Sequence, residues 1–286
     1  MDLETAPALD NSVDRDDLAY WFPRLERSGL KVPKTEIIAF EGDLVPAVDG
    51  QEVEGFRDLV EQVQAAALRV GGYPAFLRTG HGSGKHEWRS TCYLRGPQDV
   101  RSHILNLVEW SVVVDFMGLP TNTWAVREFL DLRKSFEAFR GMPVAREFRC
   151  FFRDGQVQCL HSYWPKASLI EGGANSEGWQ EAWAKMNTLG EGEEELLREL
   201  ASKAAAQFDG FWSLDLAQLA ESEGASSWVA IDMAEGDNSY HWKGCEHDPH
   251  PERHQEEEEG PERDWSQMLV LDAAEGNPVR GQGLAP

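Results

Sequence analysis

Between Ala145 and Trp164 the sequence runs AREFRCFFRDGQVQCLHSYW, and the Asp154-Gly155 pair at its centre constrains the fold more than any other feature. A type I′ turn needs positive φ at both of its central positions, which Asp-Gly tolerates, and the flanks alternate, so the stretch predicts a β-hairpin. A tight turn also sets register. Phe152 is expected opposite Val157, Cys150 opposite Cys159 and Phe148 opposite His161, all on the buried face of the ribbon. Glu147, Arg149 and Phe151 then share the other face. An acid and a guanidinium placed this way read either as a surface salt bridge or as a grip on phosphate, whose oxygens a guanidinium fork matches.

The stretches on either side read as alternating helices and strands. Ile37, Ile38 and Phe40 mark a first strand after Pro33 and Lys34. Apolar residues at spacings of three and four, from Phe56 to Val70, predict an amphipathic helix, which Gly71, Gly72 and Pro74 end. A strand at 73–79, the loop Gly80 to Lys85, a strand at 90–95, a helix at 97–117 and a strand at 124–130 give an antiparallel α+β lobe. Beyond the hairpin, helices around 177–186 and 193–208 and strands at 211–216 and 228–233 give a second. The expected divisions are a small N-terminal α/β unit at 1–72, lobes at 73–130 and 131–244, and a flexible acidic tail at 245–286.

Charge and composition narrow the function. The net charge of −23 argues against a protein that grips nucleic acid through its phosphates. No run approaches the roughly 18 apolar residues of a membrane span, and the acidic N-terminus is unlike a secretory signal, so a cytoplasmic protein with no membrane partner is expected. Cys92, Cys150, Cys159 and Cys245 form no CxxC pair and read as reduced thiols. His247, His250 and His254 with Cys245 resemble a metal cluster in composition, but their spacing in a proline-containing acidic segment fits no zinc pattern and reads as solvated tail.

The series FLRT, GHGSGK, WAVREFLDL, AREFRCFFRDG, FWSLDLA and WVAIDMAEG resembles the ATP-grasp superfamily, in its branch with arginine in place of the first ATP-binding lysine. That branch includes phage and bacterial proteins and the eukaryotic cell-division-cycle proteins that assist assembly of a translation initiation factor. The resemblance implies a fold of two α+β lobes clasping nucleotide. It puts Arg78 in the place of the phosphate-binding lysine and Gly82, Gly84 and Lys85 in the loop over the triphosphate. Glu128, Phe129 and Leu130 match the hinge that meets adenine, with Glu147 and Arg149 beside the phosphates. Taken as residues alone, the glycine loop reads equally as a turn and the hinge as a buried strand.

Asp215 and Asp232 each lie in an apolar β-prone run, where a charge needs a cation, and the resemblance implies Mg2+. The family's asparagine two residues past the second acid is Ala234 here, with Glu235 as the substitute ligand. The implied function is that of an ATP-dependent carboxylate-amine or carboxylate-thiol ligase acting through an acyl phosphate, with Arg78, Lys85 and Arg149 as its catalytic cations and a small molecule or peptide as acceptor. The alternative is a non-catalytic ATP-binding assembly factor for a protein partner.

Overall fold

The computed structural model describes residues 13–114, 117–221 and 224–253. Its first element is helix α1 (Leu18–Arg27), opened by Asp17, whose carboxylate accepts the Ala19 amide at 2.7 Å. Leu18, Trp21, Phe22 and Leu25 make its buried stripe at helical spacing, with Pro23 inside the helix. Strand β1 (Thr35–Ala39), the short helix α2 (Val45–Val48) and helix α3 (Phe56–Arg69) follow. Strands β2 (Ala75–Thr79) and β3 (Tyr93–Leu94), helix α4 (Val100–Val114) and strand β4 (Thr123–Glu128) complete the first half. The sheet runs β1-β4-β2-β3, antiparallel throughout. Leu59, Val63, Leu77, Ile104, Leu107, Trp124 and Val126 fill the core between it and its helices.

A short hairpin, β5 (Lys134–Ala138) and β6 (Met142–Ala145), leads into the long one, β7 (Glu147–Arg153) and β8 (Gln156–Ser162). Helices α5 (Lys166–Glu171), α6 (Trp179–Met186) and α7 (Glu193–Ala205) come next, then β9 (Phe211–Gln218) and β10 (Trp228–Glu235). The second sheet runs β10-β9-β7-β8. An aromatic cluster of Phe136, Phe139, Trp164 and Trp179 fills the space under β5, β6, α5 and α6.

The hairpin at Asp154-Gly155 forms as read, with φ of 46° and 80° at its two turn residues, and Phe152 does face Val157. Farther from the turn the register differs. A bulge opposite Phe151 and Phe152 shifts the ladder by one, so Cys150 faces Leu160, Phe151 faces Cys159, and Arg149 faces His161. The expected Cys150–Cys159 and Phe148–His161 pairs therefore do not form. Phe148, Cys150 and Phe152 still lie in the core, as the alternation required.

The 1–72 segment does not keep a core of its own. Strand β1 is hydrogen-bonded to β4 in the first lobe's sheet, whereas α1 packs against Phe148, Trp212, Leu214 and Leu200 beneath the second. Residues 241–253 are turns and bends and belong to a separate unit. The acidic tail from His254 onward, including the expected Met268–Leu271 patch, lies outside the described residues. Among the described residues no helix is long and apolar enough to cross a membrane.

Candidate functional site

Strand alternation carries a charged row across the exposed face of the second sheet. Arg149 on β7 is the direct partner of Asp215 on β9, and Asp215 of Asp232 on β10. The Arg149 fork donates to both Asp215 oxygens, Nε at 2.7 Å and Nη2 at 2.8 Å. From the facing sheet, Arg78 on β2 reaches Asp232, with Nη1 donating at 2.6 Å. A bulge between Ala230 and Asp232 re-aims this carboxylate. Burial alone would raise the Asp232 carboxyl, but Arg78, with Arg127 and Lys85 behind it, holds it below its ordinary value.

Lys85 extends from the 3-10 turn Lys85–Glu87 of the first lobe. Its ammonium donates to the Tyr163 hydroxyl and lies 4.1 and 4.8 Å from the ring centroids of Tyr163 and Trp164. Burial opposes its charge, but Tyr163, Glu147 and Asp215 outweigh that and hold its pKa above the lysine norm. Glu147, 5% exposed, is pushed up to about 8 by burial, against the pull of Lys85 and with the help of Asp215. Tyr163 also lies under Arg149, 4.7 Å from guanidinium carbon to ring centroid, so one side chain touches two of the cations.

These groups border a cleft of about 280 Å³ between the sheets. Arg78, Lys85, Glu147 and Asp232 line one part of it, and Phe76, Trp88, Met142 and Trp164 give it apolar walls. Glu128, Phe129 and Leu130 line it where the chain passes between lobes. There the Glu128 backbone N–H donates to the Lys34 carbonyl at 2.9 Å, and its carboxylate accepts the Lys34 amide at 2.8 Å.

The structure separates three residues from the rest of the expected site. Gly82 lies against Trp110, whose ring would be 2.3 Å from an added Cβ, and Gly84 lies against Thr91. Of the Gly80 to Lys85 loop, Ser83 and Lys85 reach the cleft. Glu235 shares its side of β10 with core residue Met233 and pairs with Arg15 at 3.1 Å, three residues beyond Asp232. Asp215 and Asp232, hard oxygen donors on adjacent strands, fit a magnesium ion that keeps phosphate and water ligands. Glu235 does not join them.

Two residues at the site were missed from sequence. Tyr163 lies opposite Glu147, donating its amide to the Glu147 carbonyl at 3.0 Å, a placement that depends on the bulge. Arg127, one residue before the hinge, donates from Nε to Thr35 and from Nη1 to the Ile231 carbonyl. Burial, then the neighbouring Arg78, pushes its pKa down to about 9. Its position on β4 beside the hinge was the available signal.

Residues 69–244 match the ATP-grasp domain, family 3 of the arginine-for-lysine clade. The chain belongs to this ATP-grasp family. The match takes in both sheets from β2 to β10, and the α+β ATP-grasp fold that the sequence resemblance implied is the fold found. No curated protein matches the sequence. Among solved structures, C-terminally truncated Cdc123 from Schizosaccharomyces pombe superposes with a TM-score of 0.50 at 12% identity, covering 81% of this ATP-grasp chain and 88% of that one. Cdc123 from the same organism gives 0.49 at 14% identity, over 81% and 87%. The RimK domain protein ATP-grasp from Sphaerobacter thermophilus DSM 20745 gives 0.40 at 13% identity, over 77% and 59%. At such identity the likeness is one of fold.

Proposed function

We propose that the cleft binds Mg-ATP and that the protein is an ATP-dependent ligase: a carboxylate oxygen attacks the γ-phosphorus, the bond to the β-phosphate oxygen breaks, and ADP leaves. An amine or thiol then attacks the acyl carbon of the resulting acyl phosphate and expels inorganic phosphate. The observation that carries this reading is the convergence of Arg78, Lys85 and Arg149 from both lobes on one carboxylate-bearing cleft. In that role the three cations hold phosphate oxygens and offset charge on the transferring group, and the backbone of Glu128 to Leu130 meets the adenine edge. Magnesium, when bound, would be held by Asp215 and Asp232 and would neutralise phosphate charge. Tyr163 orients Lys85 and Arg149, and the apolar walls limit water around the acyl phosphate. Buried thiols such as Cys92 and Cys150 suit a cytoplasmic setting.

Millimolar Mg-ATP should raise the melting temperature of the full chain, because a ligand at 100 times its Kd stabilises the native state by about 2.7 kcal/mol. For a domain of this size that is roughly 2 to 4 °C per kcal/mol. An unchanged melting curve would sink the nucleotide reading. One observation favours a second reading, nucleotide binding without turnover in a factor that holds a protein partner. With Glu235 committed to Arg15 and Ala234 in the asparagine's place, the pair of aspartates lacks a third protein oxygen. ADP release stimulated by pooled amino acids or small peptides would support the ligase; ATP binding with no acceptor-stimulated release would support the factor.

A further inference from the structure

Every cation assigned to phosphate is already engaged. Arg149 forks onto Asp215, Arg78 bonds Asp232, and Lys85 bonds Tyr163 beside Glu147. These are not solvent-screened pairs: side-chain exposure is 16% and 4% for Arg149 and Asp215, and 5% for Arg78. Removing one member of such a pair strands the other's charge in a poorly solvated place. A nucleotide arriving alone would draw Arg78 and Arg149 to its phosphates and leave two aspartates, now without their cations, beside a polyanion. A divalent cation arriving alone would take the aspartates and leave the guanidiniums facing it. Arrival of both exchanges every pair and strands none.

We propose that the cleft is an exchange site in which nucleotide and divalent cation bind as one unit, with Asp232 acting as the internal competitor that keeps metal-free nucleotide off Arg78. The inference rests on the nucleotide reading above. Coupling of this kind is reciprocal, so each ligand raises the other's affinity by the same factor. Asp232 is the member suited to the competitor's role. Its side chain is 43% exposed at the cleft, whereas Asp215 is sealed beneath Arg149. Its strand is tied to the first lobe separately, through the Ile231 carbonyl and Arg127, so an uncharged residue at 232 leaves the bulge anchored.

The test is calorimetric titration of the full chain with ATP in excess EDTA, with Mg2+ alone, and with ATP in excess Mg2+, for the wild type and for Asp232→Asn. The wild type should bind ATP on the order of 100-fold more tightly with Mg2+ than in EDTA, near the upper end of common coupling factors. Asp232→Asn should bind metal-free ATP about tenfold more tightly than the wild type and gain less from Mg2+. A carboxylate that serves solely as a metal ligand gives a different result, with metal-free affinity unchanged by the substitution, and that result overturns the proposal. So does wild-type affinity that differs by less than about threefold with and without Mg2+, a comparison that decides the matter even where the variant fails to fold. Either outcome leaves the nucleotide reading intact; no ATP binding in any arm removes both.

Discussion

Arg149 on the hairpin's polar face is half of a buried pair, and that changes what its removal does. With Asp215 4% exposed, Arg149→Ala strands a carboxylate, and a loss of about 3 to 5 kcal/mol is expected by denaturant titration. Adding Asp215→Asn should recover most of it, the signature of a coupled pair in a double-mutant cycle. Glu147 gives a pH signature. Its carboxyl sits near 8 in the folded chain against an ordinary 4.5, so between those values the native state keeps a proton that the unfolded chain gives up. Stability from this group is complete below about pH 4.5 and is lost as pH rises through 8, with a slope of at most about 1.4 kcal/mol per pH unit. The wild type minus Glu147→Gln difference should carry that slope, and a flat difference would rule the account out. The residue types at the site were legible because strand alternation alone puts Glu147 and Arg149 on one face. Their partners were not, since pairing to Asp215 is a matter of which strands become neighbours.

At the scale of elements, the glycine loop illustrates two reasons for the same residue. Gly82 was read as an approach to phosphate, yet the structure needs it bare because Trp110 of α4 occupies the space. Gly82→Ala should cost about 1 to 3 kcal/mol by overpacking, and far less in a Trp110→Phe background, where the ring is smaller. Thermal melts of the four proteins decide it; an undisturbed Gly82→Ala would refute the packing account. Local chemistry made most elements readable, including α3 from its spacing and β7–β8 from Asp-Gly. It hid α1, whose Pro23 removes a backbone donor in mid-helix, although Asp17 and the 18, 21, 22, 25 stripe were present. It also hid the β5–β6 hairpin, which turns through Phe139 and Arg140 with positive φ, a conformation that neither residue advertises. The β8 bulge had no marker at all, and with it went the register beyond the turn.

Across the whole molecule, the two lobes are not consecutive pieces of chain. A boundary at Gly71-Gly72 looked natural because breakers cluster there, but sequence order does not reveal that α1 crosses to the second lobe while β1 joins the first. Leu18, Trp21, Phe22 and Leu25 are each 2% exposed or less, and at about 1.5 to 3 kcal/mol apiece their burial is comparable to the whole stability of a domain. A chain beginning after Arg27 is therefore expected to lose the cooperative unfolding transition in circular dichroism, where removal of a self-contained unit would leave the lobes folding alone. The same crossing dictates an order of events at the ribosome. Trp21 emerges early, yet its partners Trp212 and Leu214 are made almost 200 positions later, so an apolar helix waits without its core until the last strands arrive. Long-range closure of that kind is slow and leaves greasy surface uncovered meanwhile, which makes the first helix a natural target for a chaperone during synthesis.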